Sequence, residues 1–171
     1  HFEAGDILVL QNEINCLDYV IDRAYEKQMT IILNPSPYDS GLDSCDLTKV
    51  SVFLINEVEG RQISGYAEPQ KILDVMREKF PASKIVLTLG GDGSVYADGE
   101  QQIRQPIYKV KAVDTTAAGD TFTGFFVAGL VKGLPMKEVL DLCAKAAAIA
   151  VSRKGAVASI PTMDEVLHTE L

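Results

Sequence analysis

The stretch Val113-Asp114-Thr115-Thr116-Ala117-Ala118-Gly119-Asp120-Thr121-Phe122 decides how this chain is read, together with the Thr-Gly-Phe-Phe-Val-Ala-Gly-Leu that follows it. Three small residues, Ala117, Ala118 and Gly119, lead directly into an apolar segment with helical character from Gly119 to Lys132. Small side chains at a helix start leave backbone N–H groups uncovered, and the macrodipole makes that end attractive to an anion. Asp120 falls in the first turn of this helix. There it has two readings. An acid in a first turn complements the helix end. It also suits a base that takes the proton of a hydroxyl attacking a bound phosphoryl group. The local pattern leaves both open.

Outward from this stretch the chain alternates between two kinds of segment. Asp6–Leu10, Thr30–Leu33, Val50–Ile55 and Lys84–Leu89 are short apolar runs of the buried-strand type. Between them, Cys16–Lys27 and Pro69–Phe80 carry apolar residues at helical spacing. Ser94–Ala97 and part of Ile103–Val113 are further strands, separated by the hairpin signal Asp98-Gly99. A second long helix is expected over Met136–Arg153, stopped by Gly155. Thr162 and Glu165 form a capping box for a short last helix. Alternation of this kind implies an α/β fold: a mostly parallel sheet with helices on both faces. No linker or internal repeat interrupts it, so residues 1–171 read as a single α/β unit. Ligands of such sheets bind beyond the carboxyl ends of the strands.

Composition narrows the function classes. The 171 residues carry a net charge of −8 and have a pI near 4.7. That balance argues against nucleic acid and against a polybasic membrane patch, both of which need clustered positive charge. Apolar residues make up 47%, enough for a true core. Three widely spaced cysteines, Cys16, Cys45 and Cys143, with no CxxC pair, argue against a disulfide framework or zinc site and point to a reducing cytoplasm. No apolar run approaches the ~18 residues of a membrane span. The chain opens HFEAGDILVL, without Met, and reads like the middle of something longer.

Three other segments are candidates. Thr88-Leu89-Gly90-Gly91-Asp92-Gly93 follows a buried strand, and its glycines permit either a tight turn or the close approach of a ligand. It matches neither the dinucleotide fingerprint nor the P-loop. Asn56-Glu57-Val58-Glu59 puts carboxylates at a strand's carboxyl end, where they suit magnesium or simply enrich a helix's first turn. Ala150-Val-Ser-Arg-Lys-Gly-Ala-Val-Ala-Ser159 is explained locally as a helix end.

Taken together and in order, these motifs resemble the ribokinase family of carbohydrate kinases, which includes the minor-type phosphofructokinases. DTTAAGDTF looks like that family's second signature, and LNPSP at Leu33–Pro37 and SRKGAVASIP look most like its ribose-phosphorylating members. The resemblance spans almost the whole chain. It implies ATP-dependent phosphorylation of a sugar hydroxyl, D-ribose to ribose 5-phosphate by best match. Asp120 would be the base, and the backbone of Ala117, Ala118 and Gly119 the anion hole. Asn56 and Glu59 would position Mg²⁺ and phosphates through water. Thr88, Gly90 and Gly93 would line the nucleotide site, and Glu13 in LQNEI would contact the sugar. An activating K⁺ would sit at Asp114, Thr116, Ala150, Arg153, Gly155 and Ser159, mostly on carbonyls.

Ala144 stands where such kinases often place Asn or His near the adenine, which leaves nucleotide preference open. The family's first glycine-rich signature, most of its sugar-binding residues and its small β lid are not in this sequence. The chain is therefore expected to be the C-terminal portion of a larger kinase, inactive on its own, whose full-length form is a homodimer. Its sheet is expected to carry an exposed apolar edge or face. Fructokinase, nucleoside kinase and ketodeoxygluconate kinase are alternatives on the same scaffold. A non-catalytic nucleotide-binding or regulatory domain is the alternative of another class.

Overall fold

The computed structural model describes residues 1–171. Strands β1 (Ile7–Gln11), β2 (Thr30–Asn34), β3 (Val52–Asn56), β4 (Lys84–Thr88), β5 (Ser94–Ala97) and β6 (Gln102–Gln105) form a mixed six-stranded sheet in sequential order. The first four are parallel, with Ile7 opposite Thr30, Ile32 opposite Val52, and Val52 opposite Lys84. Helices α1 (Leu17–Glu26), α2 (Glu57–Ser64) and α3 (Pro69–Lys79) lie between these strands in sequence. Helices α4 (Ala118–Val131), α5 (Met136–Val151) and α6 (Met163–His168) follow the sheet.

The chain divides into two compact units. One comprises residues 1–90 with 95–103, the other residues 91–94 with 104–171. In the first, side-chain alternation sorts the core. Ile31, Leu33, Phe53, Ile55, Ile85 and Leu87 share one sheet face and pack with Leu17 and Ile21 of α1, Ile63 of α2, and Ile72 and Met76 of α3. Right-handed crossovers between parallel strands in sequential order put all three helices on that face. On the other face Ile32, Leu54 and Val86 are buried as well, which is why these strands are apolar throughout. β1 is an edge strand, and its Val9 stays 42% exposed, which gives the sheet an exposed apolar position at that edge.

Asp98 and Gly99 do turn the chain, within a four-residue loop. Asp98 N–H donates to the Gln101 carbonyl, and its carboxylate accepts the N–H groups of Glu100 and Gln101. In the second unit, α4 and α5 pack closely at Gly129, where a Cβ would press on Val139.

One helix end departs from expectation. α5 stops at Val151 rather than Arg153, so Gly155 is not its terminator. The Val151 carbonyl takes the N–H groups of Val113 and Asp114, and Ser152 Oγ donates to Ile149 O at 2.7 Å. These bonds satisfy carbonyls that another helical turn would have used. Gly155 instead has φ near 100° and turns its N–H toward Asp114.

Candidate active site

All four parallel strands end on a polar side chain: Gln11, Asn34, Asn56 and Thr88. This is the rim where parallel sheets take ligands. Glu13 lies just past β1, exposed, in the turn before α1. Its neighbour Asn12 pins that turn to the loop after β2, donating to Pro37 O at 2.6 Å and to Asp39 Oδ1 at 3.1 Å. The sequence reading missed this cross-link, because nothing in the spacing of residues 12 and 37–39 announces it.

Asn56 and Glu59 are a complete capping box on α2. Asn56 Oδ1 accepts the N–H groups of Val58 and Glu59, and Glu59 Oε2 accepts the Asn56 N–H at 2.8 Å. The N-x-x-E spacing could have revealed it. Glu59 is nevertheless unusual for a capping acid, being only 4% exposed. The box engages only its Oε2. Asn56 Oδ1 is already spoken for, so direct ligation by both residues does not fit. A cation that keeps most of its waters and meets Glu59 alone does fit, and magnesium binds in that manner. No group of three or more His, Cys, Asp or Glu could cage a metal.

Thr88 Oγ1 reaches Ile55 O at 3.4 Å. Gly90 follows with φ near 50°, and a Cβ there would meet open space. Gly93 differs. Its φ is near 89°, and a Cβ would drive into the carbonyl oxygen of Gln105. Close backbone approach, with no ligand involved, already accounts for glycine at position 93.

In the second unit the central stretch does what its small residues promise. Ala117 is the N-cap of α4 and offers no side-chain acceptor to the first turn. The Ala118 N–H folds back to Thr115 O at 3.2 Å. Gly119 is exposed, and a Cβ there would meet open space. Asp120 is exposed in this same turn.

Asp114 sits just upstream. Its Oδ1 accepts from Thr116 N–H at 3.0 Å and Thr116 Oγ1 at 2.6 Å, and its Oδ2 from Gly155 N–H at 3.1 Å. The Thr116 hydroxyl bond, then the two backbone N–H bonds, hold this carboxyl below the usual aspartate range. The structure thus brings Asp114, Thr116 and Gly155 together. Ala150 ends the same arrangement through its carbonyl, which takes the Arg153 N–H at 3.1 Å. Ser159 is buried, with Oγ bonded to Ala156 O. The donors available here are all hard oxygens beside a helix C-terminus, a set that suits a monovalent cation. Ala144 lies half-buried on α5.

Family, sequence and structure comparisons place the chain. The description "pfkB family carbohydrate kinase" matches residues 2–163. The chain belongs to that family. A ribokinase of Schizosaccharomyces pombe is 36% identical over 94% of this chain and 54% of its own length. One from Staphylococcus aureus is 35% identical over 95% of the chain and 55% of its own length. Among solved structures, Thermotoga maritima ribokinase superposes with a TM-score of 0.80 at 31% identity, covering 95% of this chain and 55% of that one. Arabidopsis thaliana ribokinase, solved with ribose and ATP, gives a TM-score of 0.82 at 29% identity, covering 94% and 54%. This pfkB-family chain therefore spans about half the length of the curated relatives it matches. None of its helices is long and apolar enough to cross a membrane.

Proposed function

We propose that this chain is the nucleotide-side portion of an ATP-dependent sugar kinase, with D-ribose as the acceptor and ribose 5-phosphate as the product. The observation that carries the reading is the start of α4, with no side-chain cap and an exposed Gly119 one residue before an exposed carboxylate, in a chain of this family. In the proposed reaction Asp120 accepts the proton of the sugar hydroxyl as its oxygen attacks the γ-phosphorus of ATP, and ADP leaves. The N–H groups of Ala117, Ala118 and Gly119 hold the negative charge of the transferring group. Donors of this kind act on charge as it develops and need no reorganisation.

Glu13 orients the sugar, pinned through Asn12. Asn56, Thr88, Gly90 and Gly93 line the nucleotide side, and Glu59 meets magnesium through Oε1 or a water. When bound, magnesium would neutralise phosphate charge. Asp114, Thr116, Ala150, Arg153, Gly155 and Ser159 hold a monovalent cation, K⁺, near the start of α4. The reading extends to a cytoplasmic location and to a homodimeric complete kinase. Because the chain spans half of its relatives, it is proposed to bind ATP without turning sugar over by itself.

Two measurements test this. Calorimetric titration of the 171-residue chain with MgATP should give saturable binding, unchanged in Asp120→Asn. In the complete kinase, the same substitution should lower kcat for ribose about 10²- to 10⁴-fold, the range of a lost general base. Wild-type turnover in Asp120→Asn would sink the assignment. Saturable binding together with no turnover of any sugar by the complete protein would favour a regulatory nucleotide-binding domain instead.

A further inference from the structure

We propose that Arg153 and Glu165 are a positioning pair, whose contact ties α6 to the 152–161 segment and sets the placement of that segment against Asp114. The inference rests on the cation reading above and goes beyond it, because that reading gives Glu165 no part.

Glu165 divides its two oxygens. Oε2 closes the capping box of α6 on the Thr162 N–H at 2.7 Å, and Oε1 takes Arg153 Nη2 at 2.9 Å. Arg153 is in turn fixed to the end of α5 by its N–H on Ala150 O. Two residues on, the Gly155 N–H reaches Asp114 Oδ2, and Asp114 grips Thr116 through both its N–H and its hydroxyl. A continuous series of hydrogen bonds and short backbone steps thus runs from α6 through Glu165, Arg153, Gly155 and Asp114 to the residues just before α4.

The segment between Arg153 and Ser159 ends in a short 3-10 turn, Val157–Ser159, that lies against α5. Ala156, Val157 and Ala158 are exposed, Val157 at 83%. Ser159 Oγ bonds only locally, to Ala156 O. With side chains 37% and 42% exposed, the ion pair is too solvated to matter much for global stability. Its geometry instead suits orientation. One carboxylate joins a helix cap to the side chain of a residue whose carbonyl is proposed to face the cation, the manner in which partners behind a metal ligand aim it.

The test is the cation dependence of thermal unfolding of the 171-residue chain. KCl is titrated against tetramethylammonium chloride at constant ionic strength. For the wild type, Tm rises with K⁺ and saturates, because K⁺ binds the folded form. Glu165→Gln keeps an acceptor for the Thr162 N–H, since Gln also completes a capping box. It should leave Tm in tetramethylammonium near wild type while raising the half-saturating K⁺ about 10-fold. Arg153→Gln should give the same shift, and the double variant no more than either single, as expected of one linked unit. Arg153→Lys should recover part of the response, and it carries the test if Glu165→Gln does not fold.

An unchanged half-saturating K⁺ in both single variants overturns the proposal, as do additive shifts in the double. A wild-type chain that binds MgATP normally but shows no K⁺-specific rise in Tm overturns the cation reading itself, and the positioning role with it.

Discussion

Helices α2 and α4 start in opposite ways. Each has an acid at the third position of its first turn, Glu59 in one and Asp120 in the other. α2 is sealed: Asn56 and Glu59 exchange hydrogen bonds until its first N–H groups have partners, and Glu59 is drawn inside. α4 is left open, with an alanine where a cap would stand and a glycine in the first turn. A sealed end spends its N–H groups on stability. An open end keeps them for a ligand, and the field of the helix then acts on something other than the protein. The same residue spacing therefore builds a structural element in one place and a candidate reaction centre in the other.

The sharpest way to break this contrast is to close the open end. Gly119→Asp puts a carboxylate where the phosphoryl group is proposed to sit. Turnover of the complete kinase should fall by about 10² or more, as for a lost anion-hole donor. Thermal stability should hold or rise, because an acid in a first turn complements the dipole. Gly119→Ala is the milder version. Its Cβ finds open space, so the helix should gain about 0.5–1 kcal/mol in chemical denaturation. Turnover should still drop. A rise in both stability and turnover would show that this end is not a ligand site.

Opening the sealed end is the converse. Asn56→Ala removes two hydrogen bonds from the α2 start and should cost about 1 kcal/mol in denaturant titration. Glu59→Gln keeps the box and should leave stability nearly unchanged while raising the magnesium needed for half-maximal activity. Equal losses of stability in the two variants would mean that Glu59 matters for its charge as well as its cap. Gly93→Ala offers a control away from both helix starts. It should destabilise by about 1–3 kcal/mol, because the new Cβ meets the Gln105 backbone at positive φ.

The smallest effect concerns pH. Asp114 has a folded pKa below its unfolded value. Its contribution is present above the ordinary aspartate range and fades as pH falls through the depressed value. An acid titration followed by Tm should show a low-pH limb that Asp114→Asn flattens.

Much of this was legible in the sequence, and for physical reasons. Strands β2, β3 and β4 are apolar on both faces because the sheet is buried on both there, so their runs stand out. The Thr162 box and the small residues before Asp120 are local signals, read within a few positions. The bonds missed were of longer range. Arg153 to Glu165 and Asn12 to Pro37 join segments whose spacing carries no period. The end of α5 was misjudged by two residues for the same reason, since what stops it is a carbonyl shared with Val113 and Asp114. Gly93 resembled Gly90 in sequence, and only the nearness of Gln105 separates their roles.

The strict sequential order of the strands carries a consequence for how the chain acquires its shape. Each of β2, β3 and β4 pairs with the strand that left the ribosome just before it. The three parallel pairings join residues 23, 20 and 32 positions apart, Ile7 with Thr30, Ile32 with Val52 and Val52 with Lys84, and loop-closure entropy grows only slowly with such lengths. Topologies with neighbours of this kind fold faster than permuted ones of equal stability. The parallel strands β1–β4 can therefore be added one βα step at a time, before the segment that becomes α4 is synthesised.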